Sequence, residues 1–153
     1  MVRVAVIIPM LLASIVLSSC SRDTVYGDFL SVDRQGWSAD SALHFPVVVP
    51  DSSAAYDVEI HVRHTTDYPY QNLWLFIDRA GRTDTLELYL ADQRGHWFGR
   101  RMGSLYELTV PYLTGVHLPL QVQLDVRHGM RQLSLPTITD VGVTVRRQDD
   151  GQE

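Results

Sequence analysis

The chain has 153 residues, of which 45% are hydrophobic and 20% are charged, and its net charge is −5. This is the composition of a single globular domain, and it excludes an intrinsically disordered protein. All 13 basic residues are arginines that form no basic run, so we do not expect a nucleic-acid partner, which would require clustered positive charge.

The first 19 residues have the three-part layout of a secretory signal peptide. Arg3 precedes an apolar stretch from Val4 to Leu17, and small residues follow it. The apolar stretch is shorter than the ~20 residues that a membrane-spanning helix needs. We therefore expect residues 1–19 to be removed.

The single cysteine of the chain, Cys20, follows directly in the sequence Leu17-Ser18-Ser19-Cys20. This is the pattern of a bacterial lipobox, in which the cysteine thiol receives a diacylglyceryl group. Two or three acyl chains anchor a protein stably in a bilayer, so we expect the lipid bilayer to be a partner through Cys20. Residue 21 is Ser and not the Asp that retains lipoproteins at the inner membrane, which indicates the outer membrane and leaves its face open.

The mature chain has the period-two pattern of β-strands. Apolar residues recur at every second position in four segments, at residues 43–49, 56–63, 86–90 and 120–127, and valines alternate at 141–145. Val25 to Leu30 is a further candidate strand. Leu73 to Ile77 is continuously apolar, as in a strand covered on both faces, and the turn at 79–82 joins it to the strand at 86–90 as a hairpin.

Seven or eight short strands separated by Pro and Gly predict an all-β fold, a single antiparallel β-sandwich or jelly roll. We expect the acylated cysteine and a short tether at residues 20–24, the sandwich at 25–148 and a disordered tail at 149–153. Residues 91–103 are the longest irregular stretch. Tyr68-Pro69 is a candidate for a cis peptide bond.

Nothing in the sequence indicates a metal site, a cofactor or catalytic residues. The six histidines form no HxH or HExxH pattern, and His61 and His64 point to opposite faces if they lie on one strand. Solvent-facing or hydrogen-bonded histidines are therefore expected. No nucleophile elbow or phosphate-binding loop is present, and the carboxylates lie mostly at the polar positions of the strands.

Two loops are rich in aromatic residues. The first contains Tyr68 and Tyr70 around a proline, and the second places Trp97 near Arg100. Aromatic residues and arginine dominate the energetics of protein interfaces, but each loop is also compatible with aromatic rings that only cap the core.

Three blocks follow one another along the mature chain. The DYPY block runs from Arg63 to Phe76 and includes Tyr68, Tyr70 and Asn72; the DTLE block comprises Asp84 to Glu87, Leu90 to Asp92 and Gly95 to Gly99; the closing block comprises Met130-Arg131 and Leu135 to Gly142. Together with Tyr26 and Gly36-Trp37, they resemble the signature of the gliding motility lipoprotein GldH family of Bacteroidetes. The resemblance implies a lipoprotein linked to gliding motility and its associated secretion apparatus, with no catalytic residues to carry over.

Our leading hypothesis is a non-enzymatic interaction protein that binds envelope proteins of this apparatus, with Tyr68, Tyr70, Trp97 and Arg100 as contact residues. The first alternative is a β-sandwich module that binds glycans or peptidoglycan. The second is a hydrolase whose site is assembled from several strands.

Overall fold

The computed structural model describes residues 24–149. The predicted signal peptide, Cys20 and the tether up to residue 23 lie outside these residues, as do positions 150–153 of the predicted tail. The boundaries proposed for these segments therefore stay predictions. Between residues 24 and 149 there is no helix with the length and apolar character that crossing a membrane requires.

Every regular element of the described residues is a β-strand. In chain order the strands are β1 (Thr24–Ser31), β2 (Trp37–Ser38), β3 (Leu43–Val48), β4 (Ala55–Thr65), β5 (Asn72–Arg79), β6 (Arg82–Tyr89), β7 (Arg100–Met102), β8 (Leu105–His117), β9 (Gln121–His128), β10 (Ser134–Leu135) and β11 (Ile138–Arg147).

The long strands pair as one long hairpin rolled onto itself. β1 pairs with β11, β3 with β9, β4 with β8 and β5 with β6, all antiparallel. Further pairing of β11 with β4 and of β9 with β5 closes a five-stranded sheet, β1-β11-β4-β8-β7, and a four-stranded sheet, β3-β9-β5-β6. This nested pairing across two facing sheets is a jelly roll, so the prediction of an all-β sandwich is confirmed.

The sandwich has two ends that are useful to name. β1, β4 and β9 begin at the end that contains Thr24, where β3, β8 and β11 finish, and we call this the Thr24 end. β5 begins at the opposite end, where β6 and β9 finish, and we call it the Asn72 end.

The hydrophobic core lies between the two sheets. The inward positions of the alternating strands are fully buried, including Ile60 of β4, Leu75 of β5 and Val143 of β11, each 0% exposed. Complete burial of an aliphatic side chain contributes about 1.5–3 kcal/mol, so the alternation seen in the sequence is what sets the inner faces of the sheets.

A small two-stranded ladder of β2 and β10 lies at the Asn72 end. It pairs Trp37 with Leu135, and both side chains are 1% exposed. Gly36 precedes the ladder with φ of 116°, and a Cβ there would lie 2.2 Å from Ser134 Oγ and 3.0 Å from the Pro136 nitrogen. Only glycine fits this conformation and this space, which explains the glycine at position 36.

The structure departs from the sequence predictions at several places. β8, which is 13 residues long, was not predicted, and the stretch 91–103 contains the short strand β7. The expectation that the strand at 73–77 is covered on both faces is wrong, because Trp74 is 38% exposed. No peptide bond among the described residues is cis, so Tyr68-Pro69 is trans.

Candidate functional site: an aromatic groove on the four-stranded sheet

A groove of about 450 Å³ opens on the outer face of the four-stranded sheet, at the Asn72 end. Outward residues of β5 and β6 form one part of it, and the chain that leaves β9 forms the other. We call it the aromatic groove and define it by its lining: Tyr70, Asn72, Trp74, Phe76, Thr85, Gly129, Met130 and Arg131. It lies on an open sheet face and is accessible to a large partner.

The groove exists because β5 carries bulky rings on its outer face. Leu73, Leu75 and Ile77 point into the core and are 0% exposed. The side chains between them alternate to the opposite face of the strand, so Trp74 and Phe76 lie outside the core. An aromatic pair of this size on an open sheet face is a feature of interaction surfaces.

The segment after β9 lies directly against these rings. The Gly129 N–H donates to the Trp74 carbonyl oxygen (2.7 Å), and the Trp74 N–H donates to Met130 Sδ (3.4 Å). A Cβ on residue 129 would lie 2.8 Å from the Phe76 ring. Glycine therefore allows the backbone to approach Phe76 closely and places Met130 at the groove.

His128 fixes the position of the segment after β9 through hydrogen bonds. Its Nδ1 accepts a hydrogen bond from the Met130 N–H (3.3 Å), and its Nε2 lies 3.0 Å from the Trp37 carbonyl oxygen. Burial lowers the pKa of His128, because the charged imidazolium loses its hydration. The neutral ring, with its proton on Nε2, satisfies both hydrogen bonds.

The polar groups at the rim of the groove are already paired with one another. Asn72 Nδ2 donates to Glu87 Oε1 (2.7 Å), and the Tyr89 hydroxyl donates to Glu87 Oε2 (3.2 Å). The Glu87 carboxylate repels the charged phenolate and thereby raises the pKa of Tyr89. Tyr89 is 59% exposed, so its ring extends the aromatic surface.

Arg131 supplies positive charge at the groove. It is exposed, and it has no ion pair with any acidic side chain among residues 24–149. The other arginine of this face, Arg127, is paired with Asp78 (3.1 Å). The groove thus combines an apolar floor with an arginine that has no acidic partner within residues 24–149.

The two predicted contact tyrosines meet in the structure, but they have different environments. Tyr68 is 3% exposed, and its hydroxyl donates to the Asn72 carbonyl oxygen (2.8 Å). Burial raises the pKa of Tyr68. Tyr70 packs edge-on against it, with ring centroids 5.7 Å apart, and lines the groove. Tyr68 therefore supports a surface to which Tyr70 contributes.

The structure does not bring the other two predicted contact residues to the groove. Trp97 is half-buried against His64, with ring centroids 4.7 Å apart, and also packs against Tyr106. Arg100 is exposed and lies 3.4 Å from Glu107. Sequence reasoning missed Trp74, Met130 and Tyr89. The available signal was the position of Trp74, which alternates with Leu73 and Leu75 and therefore falls on the opposite face of the strand.

Three histidines are buried, and hydrogen bonds account for most of their ring nitrogens. Both nitrogens of His61 are bonded, to Thr144 Oγ1 (2.8 Å) and Thr109 Oγ1 (2.9 Å). His64 is bonded through Nδ1 to the Thr65 carbonyl oxygen (2.9 Å). Burial lowers the pKa of both rings. Within the described residues, no three His, Cys, Asp or Glu side chains cluster as metal ligands would.

Residues from all three sequence blocks meet at the groove. The DYPY block provides Tyr70, Asn72 and Phe76, the DTLE block provides Thr85 and the paired Glu87, and the closing block provides Met130 and Arg131. These residues are far apart in the sequence, and the β5–β6 and β5–β9 pairings bring them together.

Comparisons with known proteins place the chain in a family. The family model described as GldH lipoprotein matches residues 24–145. The gliding motility lipoprotein GldH of Flavobacterium johnsoniae is 28% identical over 152 residues, which cover 92% of this chain and 95% of that protein. A GldH homolog of Christiangramia forsetii is 29% identical over 150 residues, covering 89% and 91%.

Among solved structures, the sugar-binding protein EclA is matched through its C-terminal domain with a TM-score of 0.33 and 12% identity, over 82% of this chain and 79% of that one. A likeness at this level says nothing about shared function. The family match, in contrast, covers most of the chain and confirms the resemblance of the three blocks. The protein belongs to the GldH lipoprotein family.

Proposed function

We propose that the protein is an acyl-anchored envelope lipoprotein of the gliding-motility apparatus and its linked secretion machinery, and that it works by binding a partner protein in the aromatic groove. The link to motility is supported by its relatives, which are named gliding motility lipoproteins. The observation that carries the binding role is the convergence of the three blocks on one exposed groove.

The chemistry of the groove specifies what the partner presents. Trp74, Phe76 and Met130 form an apolar surface on which an aliphatic or aromatic side chain can pack. The Arg131 guanidinium at its rim can donate hydrogen bonds to a carboxylate. Tryptophan, tyrosine and arginine are the residues whose truncation most weakens protein interfaces. The partner is therefore a protein segment with an apolar anchor residue next to an acidic one.

The lining of the groove favours binding over catalysis. Within the described part of the chain, the ionisable residues of the lining are Tyr70 and Arg131. The Glu87 carboxylate at the rim is already hydrogen-bonded to Asn72 and Tyr89. General acid–base catalysis most often uses His, Asp, Glu or Lys, and none of these is among the described residues that line the groove. This composition supports the proposal of a non-enzymatic role.

The glycan-binding alternative fits the groove less well. A sugar site combines an aromatic platform with free hydrogen-bonding groups that satisfy the hydroxyls. Here Asn72 and Glu87 are hydrogen-bonded to each other, and Tyr89 donates to the same carboxylate. Trp74 remains available for stacking, so sugar binding is retained as an outcome of the test below.

The binding role is tested by truncating the groove floor. Tagged Trp74→Ala/Met130→Ala protein is purified from detergent extracts of its own cells, and co-purifying proteins are quantified by mass spectrometry. Phe98→Ala is the matched control, because Phe98 is 44% exposed and lies outside the groove. We expect one or more envelope partners to be lost about tenfold or more in the groove variant, since two hot-spot truncations cost over about 1.4 kcal/mol, and to be retained in the control.

Two results would contradict this proposal. One is an unchanged set of partners in a groove variant whose thermal unfolding matches the wild type. The other is saturable binding of peptidoglycan or an arrayed glycan that is abolished by Trp74→Ala, which would replace protein docking with the glycan alternative.

Anchoring is part of the same proposal. We expect intact-mass measurement of the purified protein to show a chain that begins at Cys20 and carries acyl groups, and fractionation to place it in the outer membrane. An uncleaved start or an unmodified cysteine contradicts the anchor. Proteolysis of intact cells then distinguishes the surface from the periplasmic face.

A further inference from the structure

At the Thr24 end, two neighbouring strand ends each carry one exposed aliphatic side chain. Val48 ends β3 and Leu120 precedes β9, and each is 54% exposed. They belong to adjacent strands, because Val48 is in register with Gln121 and the Val49 N–H donates to the Leu120 carbonyl oxygen (3.0 Å). Single exposed aliphatic residues are common. These two are of interest because of where they lie relative to the proposed lipid anchor.

The position is set by the length of the chain that leads to the proposed anchor. β1 begins at Thr24, four residues after Cys20. Four residues span at most about 14 Å even when fully extended. The strands are much longer than this, since the 11 residues of β4 extend over about 36 Å. An acyl anchor on Cys20 therefore keeps the Thr24 end at the lipid surface.

We propose that the Thr24 end docks on the bilayer, with Val48 and Leu120 in the headgroup region. The sandwich then stands on this end, and the aromatic groove at the opposite end is held away from the membrane. This inference rests on the proposed acylation of Cys20 and adds a second, direct contact between the domain and lipid.

Two arginines at the Thr24 end are already paired with acidic side chains. Arg147 is paired with Asp51 (3.4 Å) and Arg146 with Glu59 (3.2 Å). A membrane contact that depends on anionic lipid uses a surplus of unpaired Lys or Arg. Because these arginines are paired, the docking requires no anionic lipid and persists in zwitterionic vesicles.

The test uses the cysteine content of the chain. Cys20 is its only cysteine, and acylation blocks that thiol, so a Val48→Cys or Leu120→Cys variant of the mature lipoprotein carries one reactive thiol. A spin label is attached there, and the protein is inserted into phosphatidylcholine vesicles. Collision rates with oxygen, which concentrates in lipid, and with a water-soluble nickel chelate are measured by electron paramagnetic resonance.

We expect the oxygen-to-nickel collision ratio at positions 48 and 120 to be severalfold higher than at position 133. Leu133→Cys is the control, because Leu133 is 79% exposed and precedes β10 at the Asn72 end. The ratio at position 48 should fall when Leu120→Glu is added, and it should stay unchanged with Gln123→Glu, which adds the same charge farther from the Thr24 end on the exposed side of β9.

The outcomes separate the two proposals. Equal ratios at positions 48, 120 and 133 in vesicle-bound protein overturn docking and leave the anchor intact. Protein that remains unbound to vesicles and lacks acyl groups by mass overturns both.

Discussion

The outer faces of the two sheets differ in how their large side chains are used. On the five-stranded sheet, the Phe29 ring lies over Gly142, and the Arg63 guanidinium lies 4.0 Å from the ring centroid. Arg63 Nε donates to Glu107 Oε2 (2.6 Å), and the ring centroids of His61 and Phe29 are 5.1 Å apart. Each of these groups has its partner within the domain.

On the four-stranded sheet, two large aromatic side chains remain exposed. Trp74 is 38% exposed and Tyr89 is 59% exposed, and Arg131 has no carboxylate beside it among residues 24–149. The two faces have similar residue types, aromatic rings with arginine, so residue type alone does not identify the binding face. What distinguishes them is whether the domain itself satisfies those residues.

The largest expected effect comes from filling the space under Phe29. A Cβ on residue 142 would lie 2.6 Å from the Phe29 ring, whereas a Cβ on Gly27 of the neighbouring strand meets only Thr24, at 3.8 Å. We expect Gly142→Ala to lower the free energy of unfolding by about 2 kcal/mol, through overpacking. The matched Gly27→Ala should change it by less than about 0.5 kcal/mol. Chemical denaturation measures both, and equal effects would show that the Phe29 network is not tightly packed.

The next effect compares one ion pair from each face. The Arg63–Glu107 pair is largely shielded, with side-chain exposures of 24% and 11%, whereas Arg127–Asp78 has 37% and 36%. In double-mutant cycles with Arg→Met and acid→amide changes, we expect a coupling energy of about 1–2 kcal/mol for the first pair. The second should give less than about 0.5 kcal/mol. A larger coupling energy for Arg127–Asp78 than for Arg63–Glu107 would contradict the view that the five-stranded sheet is the face whose charged groups are paired within the domain.

Acid should weaken the fold through its buried histidines. Burial lowers the pKa of His61, His64 and His128 in the folded state, whereas the unfolded chain keeps the ordinary value of about 6.5. The unfolded state therefore binds more protons below about pH 6.5, and stability must fall as the pH decreases from 6.5 toward 5. We expect this decrease to be smaller than the loss in Gly142→Ala. Constant or rising stability over this interval would contradict neutral, buried rings.

The smallest effect on stability is expected in the groove itself. Trp74 packs partly on the sheet surface, and its loss leaves no cavity in the core, so Trp74→Ala should lower the free energy of unfolding by less than about 1 kcal/mol. Phe29→Ala on the other face should lower the free energy of unfolding by more, because it removes the ring that packs over Gly142 and contacts the Arg63 guanidinium. A Trp74→Ala variant that unfolds more easily than Phe29→Ala would indicate that the groove is structural.

The sequence predicted most strands because burial on one face imposes a two-residue period. β8 was missed because its exposure does not alternate: it contains Pro111, its pairing with β4 is interrupted by irregularities between Tyr56 and Glu59, and several of its residues are only half-buried. The outer face of β5 was wrongly predicted to be covered. The run of apolar residues at 73–77 has the same hydrophobicity whether or not another layer packs on its outer face.

The groove could be predicted only in part. Tyr70 was chosen from its loop composition and does line the groove. The meeting of Trp74 with Gly129 and Met130 depends on the pairing of β5 with β9, which joins residues about 50 positions apart and leaves no local signal in the sequence.

The most direct test of the groove as the binding surface is the reactivity of a single thiol in the envelope. With Cys20 acylated, Thr85→Cys places the only free thiol in the groove, and Ser104→Cys places it in the exposed turn between β7 and β8. We expect a membrane-permeant maleimide to label residue 85 about tenfold more slowly in intact envelopes than in purified protein, while residue 104 reacts equally fast in both. Equal labelling of residue 85 in the two states would contradict the account.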